Sequence, residues 1–297
     1  MPPTALPPTA PAPIAPTDLG PRRLRLDAEL VRRGLARSRE HASELIGAGQ
    51  VKVSGTVAHK PATGVTTDVA IVVTADPDRV EYVSRGGHKL QGALTAFGPR
   101  GLLIAGRRCL DAGASTGGFT DVLLRHGAGE VVAVDVGYGQ LAWPLRADER
   151  VRVHDRTNIR DLTVELIGGP VDVVVGDLSF ISLRLVLPAL SRVTATEGDM
   201  ALMVKPQFEV GKDRVGKGGV VRDPVLRAES VGEVVRTAGE LGWGLQAVAT
   251  SPLPGPSGNV EFFIWLRHAP PLVGDDEIRA EAERTATLSA SGERLEP

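Results

Sequence analysis

The sequence predicts a doubly wound α/β domain preceded by a small, basic α+β domain. From Arg107 onward, strand-like and helix-like segments alternate. Several of the strand candidates are near-continuous apolar runs, and between Arg22 and Lys60 nine Lys or Arg face only four acids. Alternation implies parallel strands joined by crossover helices, and unbroken apolar runs imply strands buried on both faces. The basic excess is local, because the 297-residue chain as a whole has 34 Lys+Arg against 36 Asp+Glu, a net charge of −2.

The first twenty residues hold seven prolines and no Lys or Arg. Proline at that density leaves few backbone donors, so residues 1–21 read as a disordered or polyproline-like tail. The small domain spans residues 22–80. Leu26, Leu30, Val31 and Leu35 recur at helical spacing, and this first helix ends at Gly34 and Leu35. Ser38 reads as the N-cap of a second helix through Ala48, with Gly49 as its stop. Val51, Val53, the Ser54-Gly55 turn and Val57 predict a tight hairpin, and Val69 to Val73 a last strand. Arg22, Arg23, Arg25, Arg32, Arg33, Arg37, Arg39 and Lys52 offer one basic face for phosphates. Asp76, Pro77 and Asp78 break the pattern and mark the domain boundary, and residues 81–85 serve as a linker.

The large domain spans residues 86–268. Its strand candidates are Cys109 to Asp111, Val131 to Val136, Val151 to His154, Val171 to Gly176, Met200 to Val204, Leu245 to Thr250 and Val260 to Leu266. Helices are expected over Phe119 to His126 and Asp223 to Leu241. Residues 269–297 form an acidic tail, either a solvated helix or loose chain; from Gly274 onward it has seven acidic and three basic residues.

The first strand runs into LDAGASTGGFT. Gly113, Gly117 and Gly118 permit a tight turn, and the helix from Phe119 brings its N-terminus toward a ligand. The spacing is not GxGxxG, so by itself the turn fits any nucleotide-binding α/β fold. Asp135 ends the next strand, where an acid commonly receives ribose hydroxyls in dehydrogenases and methyltransferases alike. Four further ionisable residues fall at strand ends or a helix start. Lys89 precedes a helix through Phe97, Asp177 follows the fourth strand, Lys205 follows the fifth and Glu261 opens the last. The carboxyl ends of strands form the ligand crevice of such sheets, so Asp177 and Lys205 should meet there. A lysine ending an apolar strand is costly unless paired or functional.

This Lys-Asp-Lys-Glu order resembles that of the FtsJ-type ribose 2′-O-methyltransferases. The stretch RLDAELVRRGLARSREHASELIGAGQVKVSG is similar to the RNA-binding domain named after small-subunit ribosomal protein four. Together they resemble the TlyA family, formerly labelled haemolysins, through SRGGHKL, LDAGASTGGFTD, VDVGYGQLAW, RTNIR, GDLSFISL, VKPQFE and GNVEFF. The resemblance covers about Arg22 to Arg267 with no departure at the catalytic positions. It implies a Rossmann-like methyltransferase sheet with an N-terminal RNA-binding domain. It also implies methyl transfer from S-adenosylmethionine to cytidine 2′-hydroxyls of ribosomal RNA, in the small subunit and in some members the large one. Capreomycin-type antibiotic susceptibility goes with that activity.

On this resemblance Lys205 is the base or hydroxyl orienter, with Lys89, Asp177 and Glu261 positioning the ribose and tuning it. The cofactor falls to Asp111, Gly113, Ala114, Ser115, Thr116, Gly117 and Gly118, its ribose to Asp135, and its adenine to Asp155 or Asn158. No metal is required. Ribosomal RNA and ribosomal subunits are the expected partners, and the cytoplasm the expected compartment.

The remaining composition removes other classes. One cysteine, Cys109, excludes a disulfide framework and a cysteine-based zinc site. No apolar run reaches the ~18 residues of a spanning helix, and the N-terminus lacks the charge and apolar core of a secretory signal. A membrane-lytic toxin therefore has no inserting segment to use. A catalytically inert RNA-binding assembly factor is the better rival, opposed by the intact Lys89, Asp177, Lys205 and Glu261. A nicotinamide dehydrogenase would explain Asp135 but neither lysine.

Overall fold

The computed structural model describes residues 23–36, 38–74, 81–216, 218–255 and 257–291. The proline-rich segment, Arg22, Arg37 and the Asp76-Pro77-Asp78 break lie outside the described residues. The chain divides into two compact units, residues 1–80 and 81–297.

In the first unit the order is β1 (Leu24–Arg25), α1 (Leu26–Arg32), α2 (Arg39–Gly47), β2 (Val51–Val53), β3 (Thr56–Val57), β4 (Gly64–Val65) and β5 (Ile71–Val73). Leu26, Leu30, Ala42, Leu45, Ile46 and Val51 form its core. The Ser38 hydroxyl accepts the His41 N–H at 3.1 Å and caps α2, and Gly49 leaves the helix at φ 71°. Ser54 and Gly55 both take left-handed backbone, φ 48° and 84°, the combination a two-residue hairpin loop requires. The loop sets the β2–β3 register, Val53 opposite Thr56. The first helix stops at Arg32, two residues before the expected glycine, and a separate β1–β4 pair forms that the sequence did not announce.

The second unit contains α3 (Gly86–Phe97), β6 (Arg108–Ala112), α4 (Gly118–Arg125), β7 (Glu130–Val134), α5 (Trp143–Arg146), β8 (Val151–His154) and β9 (Val171–Gly176). After these come α6 (Leu187–Val193), β10 (Thr194–Val204), α7 (Pro206–Glu209), α8 (Pro224–Glu240), β11 (Gly244–Thr250), β12 (Phe262–Arg267) and α9 (Asp275–Ser291). The seven strands form one sheet in the order β11-β12-β10-β9-β6-β7-β8. β12 runs antiparallel to both neighbours, and the ladder from β10 through β9, β6 and β7 to β8 is parallel. The chain leaves β6 toward β7 and β8, then returns to β9 on the other side of β6. That reversal opens a crevice at the carboxyl ends of β6 and β9.

The apolar runs are continuous because the sheet has two buried faces. On β12, Phe262, Ile264 and Leu266 enter one core, and Phe263 and Trp265 enter the other. α3 and α4 cover one face through Leu90, Leu94, Phe97, Phe119 and Leu123. α6 and α8 cover the opposite face through Leu187, Leu190, Val231 and Val234. Each fully buried large aliphatic side chain contributes about 1.5–3 kcal/mol relative to exposure.

Over residues 275–291 the acidic tail takes the helical alternative, but with one face packed rather than solvated. These residues form α9, whose Ile278, Ala282 and Thr285 are buried. The spacing of four and three places them on one helical face. Glu281 accepts the Thr250 backbone N–H at 2.6 Å, so α9 also caps a donor of the edge strand β11.

Candidate functional site

The loop after β6 takes a backbone path that ordinary side chains resist. Gly113 lies at φ 86°, Ser115 at 47° and Gly117 at 100°. At Gly118 the constraint is contact: a Cβ there would lie 2.3 Å from Ser84 Oγ and 2.8 Å from the Gly87 nitrogen. The first turns of α3 and α4 can approach only because Gly118 has no side chain. Ser115 and Thr116 are exposed at the loop tip, and Ala114 packs into the core.

Asp135 follows β7 and braces this loop. Its Oδ2 accepts the Ser115 N–H at 2.8 Å and its Oδ1 the Gly137 N–H at 2.6 Å, and each oxygen retains a further lone pair. Asp111 occupies a different place from the rest of the expected cofactor set. It is wholly buried, its Oδ2 accepts the Thr120 hydroxyl at 2.6 Å, and burial pushes its carboxyl up to about 7. It supports the loop from beneath rather than lining the crevice. Asp155 accepts from Arg146 at 2.6 Å, which holds its carboxyl below the usual range. Asn158 caps a short 3-10 turn by accepting the Arg160 N–H at 3.1 Å, the common task of a loop amide.

The four lysine and acid candidates form two ion pairs at one end of the sheet. Lys89 lies inside the first turn of α3, slightly later than expected, because the helix opens at Gly86. Its Nζ donates to Glu261 Oε2 at 2.5 Å and lies 3.9 Å from Met203 Sδ. Lys205 Nζ lies 2.5 Å from Asp177 Oδ1 and donates to Ser179 Oγ at 2.8 Å. Val204 pairs with Phe262 across β10 and β12, so Lys205 and Glu261 both follow the last rung of that ladder. Asp177 abuts the glycine loop: its N–H donates to the Ala112 carbonyl at 3.2 Å, and a Cβ on Gly113 would meet its carbonyl oxygen at 3.2 Å.

Asp177 Oδ1 is occupied by the ion contact with Lys205 at 2.5 Å, whereas Glu261 Oε1 is buried without a hydrogen-bond partner, as are Asp111 Oδ1 and Gln207 Oε1. Buried acceptors left open are rare, and at a crevice they suit a cationic or hydroxyl-bearing ligand. Among the described residues no cluster of His, Cys, Asp and Glu could hold a metal ion.

Several contributors escaped the sequence reading. Glu209, buried, accepts the Ser182 hydroxyl at 2.5 Å and the Leu183 N–H at 2.8 Å, tying the loop after β9 to α7. Asn259 accepts the Val221 N–H at 2.9 Å and donates to the Gly219 carbonyl at 2.8 Å. Phe180 is 92% exposed at φ 64°, beside Phe208.

In the first unit, buried acids organise the arginines. Asp27 accepts from both Arg25 and Arg39, and Glu29 from Arg32 and Arg33. The guanidinium of Arg25 lowers the Asp27 carboxyl to about 2, and that of Arg32 lowers Glu29 to about 2. Arg23, Arg25, Arg32, Arg39 and Lys52 stay exposed. Arg33 does not join them. Its guanidinium also donates to the Val69 carbonyl at 2.7 Å and the Thr67 carbonyl at 2.9 Å, so it is spent inside its own unit.

The strand order, the glycine cradle at the reversal and the lysine–carboxylate pairs define a Rossmann-like methyltransferase. The FtsJ-like methyltransferase model matches residues 82–268, and the S4 domain model matches residues 24–71. The chain belongs to the FtsJ-like methyltransferase family, within its S4-bearing TlyA branch. It is 64% identical over 246 residues to the 16S/23S rRNA (cytidine-2′-O)-methyltransferase TlyA of Mycobacterium tuberculosis, covering 83% of this chain and 90% of that one. Hemolysin A of Brachyspira hyodysenteriae is 36% identical, covering 80% and 98%. A solved Streptococcus thermophilus structure, described as a hemolysin, superimposes with a TM-score of 0.72 at 33% identity, covering 92% of this chain and all of that one.

Proposed function

We propose that the protein transfers a methyl group from S-adenosylmethionine to the ribose 2′-hydroxyl of a cytidine in ribosomal RNA. The observation that carries this reading is the Lys205–Asp177 pair against the glycine cradle. The cofactor fits the cradle: the loop tip at Ser115 and Thr116 is exposed, and Asp135, bracing that loop, keeps lone pairs for ribose hydroxyls. Bound there, it supplies an activated methyl group on a sulfonium centre.

A ribose hydroxyl is a poor nucleophile, so alignment and proton removal are what the protein must provide. Lys205, paired with a carboxylate, carries its proton and therefore acts as the hydroxyl orienter of the two roles open to it. The hydroxyl proton becomes strongly acidic as the ribose oxygen gains the methyl group, and the Asp177 carboxylate, ion-paired with Lys205 at 2.5 Å, is its acceptor. Lys89 and Glu261 hold the ribose from the β12 side. Phe180 presents an exposed ring three residues from Asp177, suited to stacking a base drawn out of its helix.

The S4 unit supplies phosphate contacts through Arg23, Arg25, Arg32, Arg39 and Lys52. Ribosomal subunits are the partners, the cytoplasm the compartment, and susceptibility to capreomycin-type antibiotics the cellular consequence. The hemolysin names do not shift this reading, since no helix among the described residues is long and apolar enough to cross a membrane.

Radiolabelled methyl transfer to ribosomal subunits from cells lacking the enzyme tests the reading, with Lys205→Ala alongside. Label on a single ribose that disappears in the variant supports it. No label in either subunit, despite cofactor binding, removes it in favour of a non-catalytic RNA-binding role.

A further inference from the structure

The two lysines of the site are held in different ways. Lys89 receives charge and direction from one partner, because its contact with Glu261 Oε2 at 2.5 Å is an aligned hydrogen bond. Lys205 receives them from two. Its 2.5 Å approach to Asp177 Oδ1 is an ion contact outside hydrogen-bond alignment, and its aligned bond goes to Ser179 Oγ at 2.8 Å. Coulomb attraction between close charges is weakly directional, whereas a hydrogen bond weakens steeply off axis. A lysine side chain has four rotatable bonds and three equivalent N–H donors, so charge pairing alone does not fix where those donors point.

We propose that Ser179 is a positioning residue for methyl transfer: its hydroxyl sets the direction of Lys205 Nζ and leaves one N–H aimed at the ribose oxygen. One donor goes to Ser179, one faces Asp177, and the third remains for the substrate. Ser179 is solvent-exposed while the Lys205 side chain is only 9% exposed. The serine therefore caps the buried ammonium from the side on which RNA must arrive. An exposed serine adds little to the core, so its removal leaves the fold intact. The inference rests on the reading of Lys205 as hydroxyl orienter.

Ser179→Ala, Ser179→Thr and Lys205→Ala are compared with the unaltered full chain in steady-state methyl transfer to ribosomal subunits. Cofactor affinity by calorimetry and thermal melting accompany the kinetics. Loss of one aligned hydrogen bond to an ionised group predicts a fall in kcat of about tenfold in Ser179→Ala, with KM for RNA and cofactor affinity unchanged. Ser179→Thr, which keeps the hydroxyl, recovers most of that loss. Unchanged kcat in Ser179→Ala overturns the inference, and so does an equal loss in Ser179→Thr, which would mean that volume rather than the hydroxyl matters. A drop in melting temperature or cofactor affinity matching the lost activity overturns it too. If Lys205→Ala keeps its activity, the reading of Lys205 itself falls. If Lys205→Ala is inert and Ser179→Ala is normal, only the role of Ser179 falls.

Discussion

Replacing Glu261 with Gln, and leaving Lys89 in place, should destabilise the methyltransferase unit by about 3–5 kcal/mol, because it strands a buried ammonium. The side chains are 8% and 1% exposed, and beyond Glu261 the contact shown for Lys89 Nζ is the weak acceptor Met203 Sδ at 3.9 Å. The space cannot readily rearrange, since a Cβ on Gly255 would already lie 2.5 Å from Glu261 Oε1. For a unit of this size, 1 kcal/mol moves the midpoint by roughly 2–4 °C, so a loss of roughly 6–20 °C is expected in calorimetry. The pair itself is worth far less than either charge left alone. Lys89→Met combined with Glu261→Gln should therefore recover to within about 1–2 kcal/mol of the unaltered protein. A single variant costing under about 1 kcal/mol, or a double variant as damaged as the sum of both singles, would refute the reasoning.

Asp111 makes stability depend on pH in an unusual sense for a carboxylate. Unfolded it ionises near 3.8 and folded near 7, so the unfolded chain holds fewer protons between those values and stability falls as pH rises through that window. The upper bound is about 4 kcal/mol at 1.36 kcal/mol per pH unit. Urea unfolding of Asp111→Asn across pH 4.5 to 8 should show a correspondingly flatter profile, and a profile parallel to the unaltered protein would contradict the assignment. In the S4 unit, Arg33→Ala should lower the melting temperature, whereas Arg39→Ala should instead reduce the salt slope of RNA binding by about one. Binding titrations over a salt series separate the two, and equal effects of both substitutions would dissolve the distinction.

The sheet was legible because a strand buried on both faces must be apolar throughout, as Val173 to Gly176 and Met200 to Val204 are. Asp177 and Lys205 stood out for the converse reason, since a charge at the end of such a run is costly without a partner, and Lys89 and Glu261 by their places at a helix start and a strand opening. Other features depend on distant chain that no local pattern reports. Arg33 looks like Arg32 in sequence, yet the return of residues 66–69 turns one inward and leaves the other in solvent. Ser179 carries no periodic signal, and its meaning comes only from Lys205, 26 residues away. α9 was left open between a solvated helix and loose chain because its apolar face consists of little more than Ile278 and Ala282, too narrow to announce its packing. Asp111 was read with the cofactor loop it precedes, but it is wholly buried inside the sheet, where it accepts the Thr120 hydroxyl.

The contact between Lys89 and Glu261 joins residues 172 positions apart and brings the opening helix of the second unit onto its last strand. Closing so long a loop is entropically late, because nearer contacts must form first to offset it. Both strands that flank β12 must also be in register before Glu261 has a place. On the proposed role of Lys89 and Glu261, catalytic competence is thus a certificate of completed folding. On the same proposal, a nascent chain still short of β12, or a proteolytic fragment lacking it, carries the S4 unit for RNA but lacks the means of marking it.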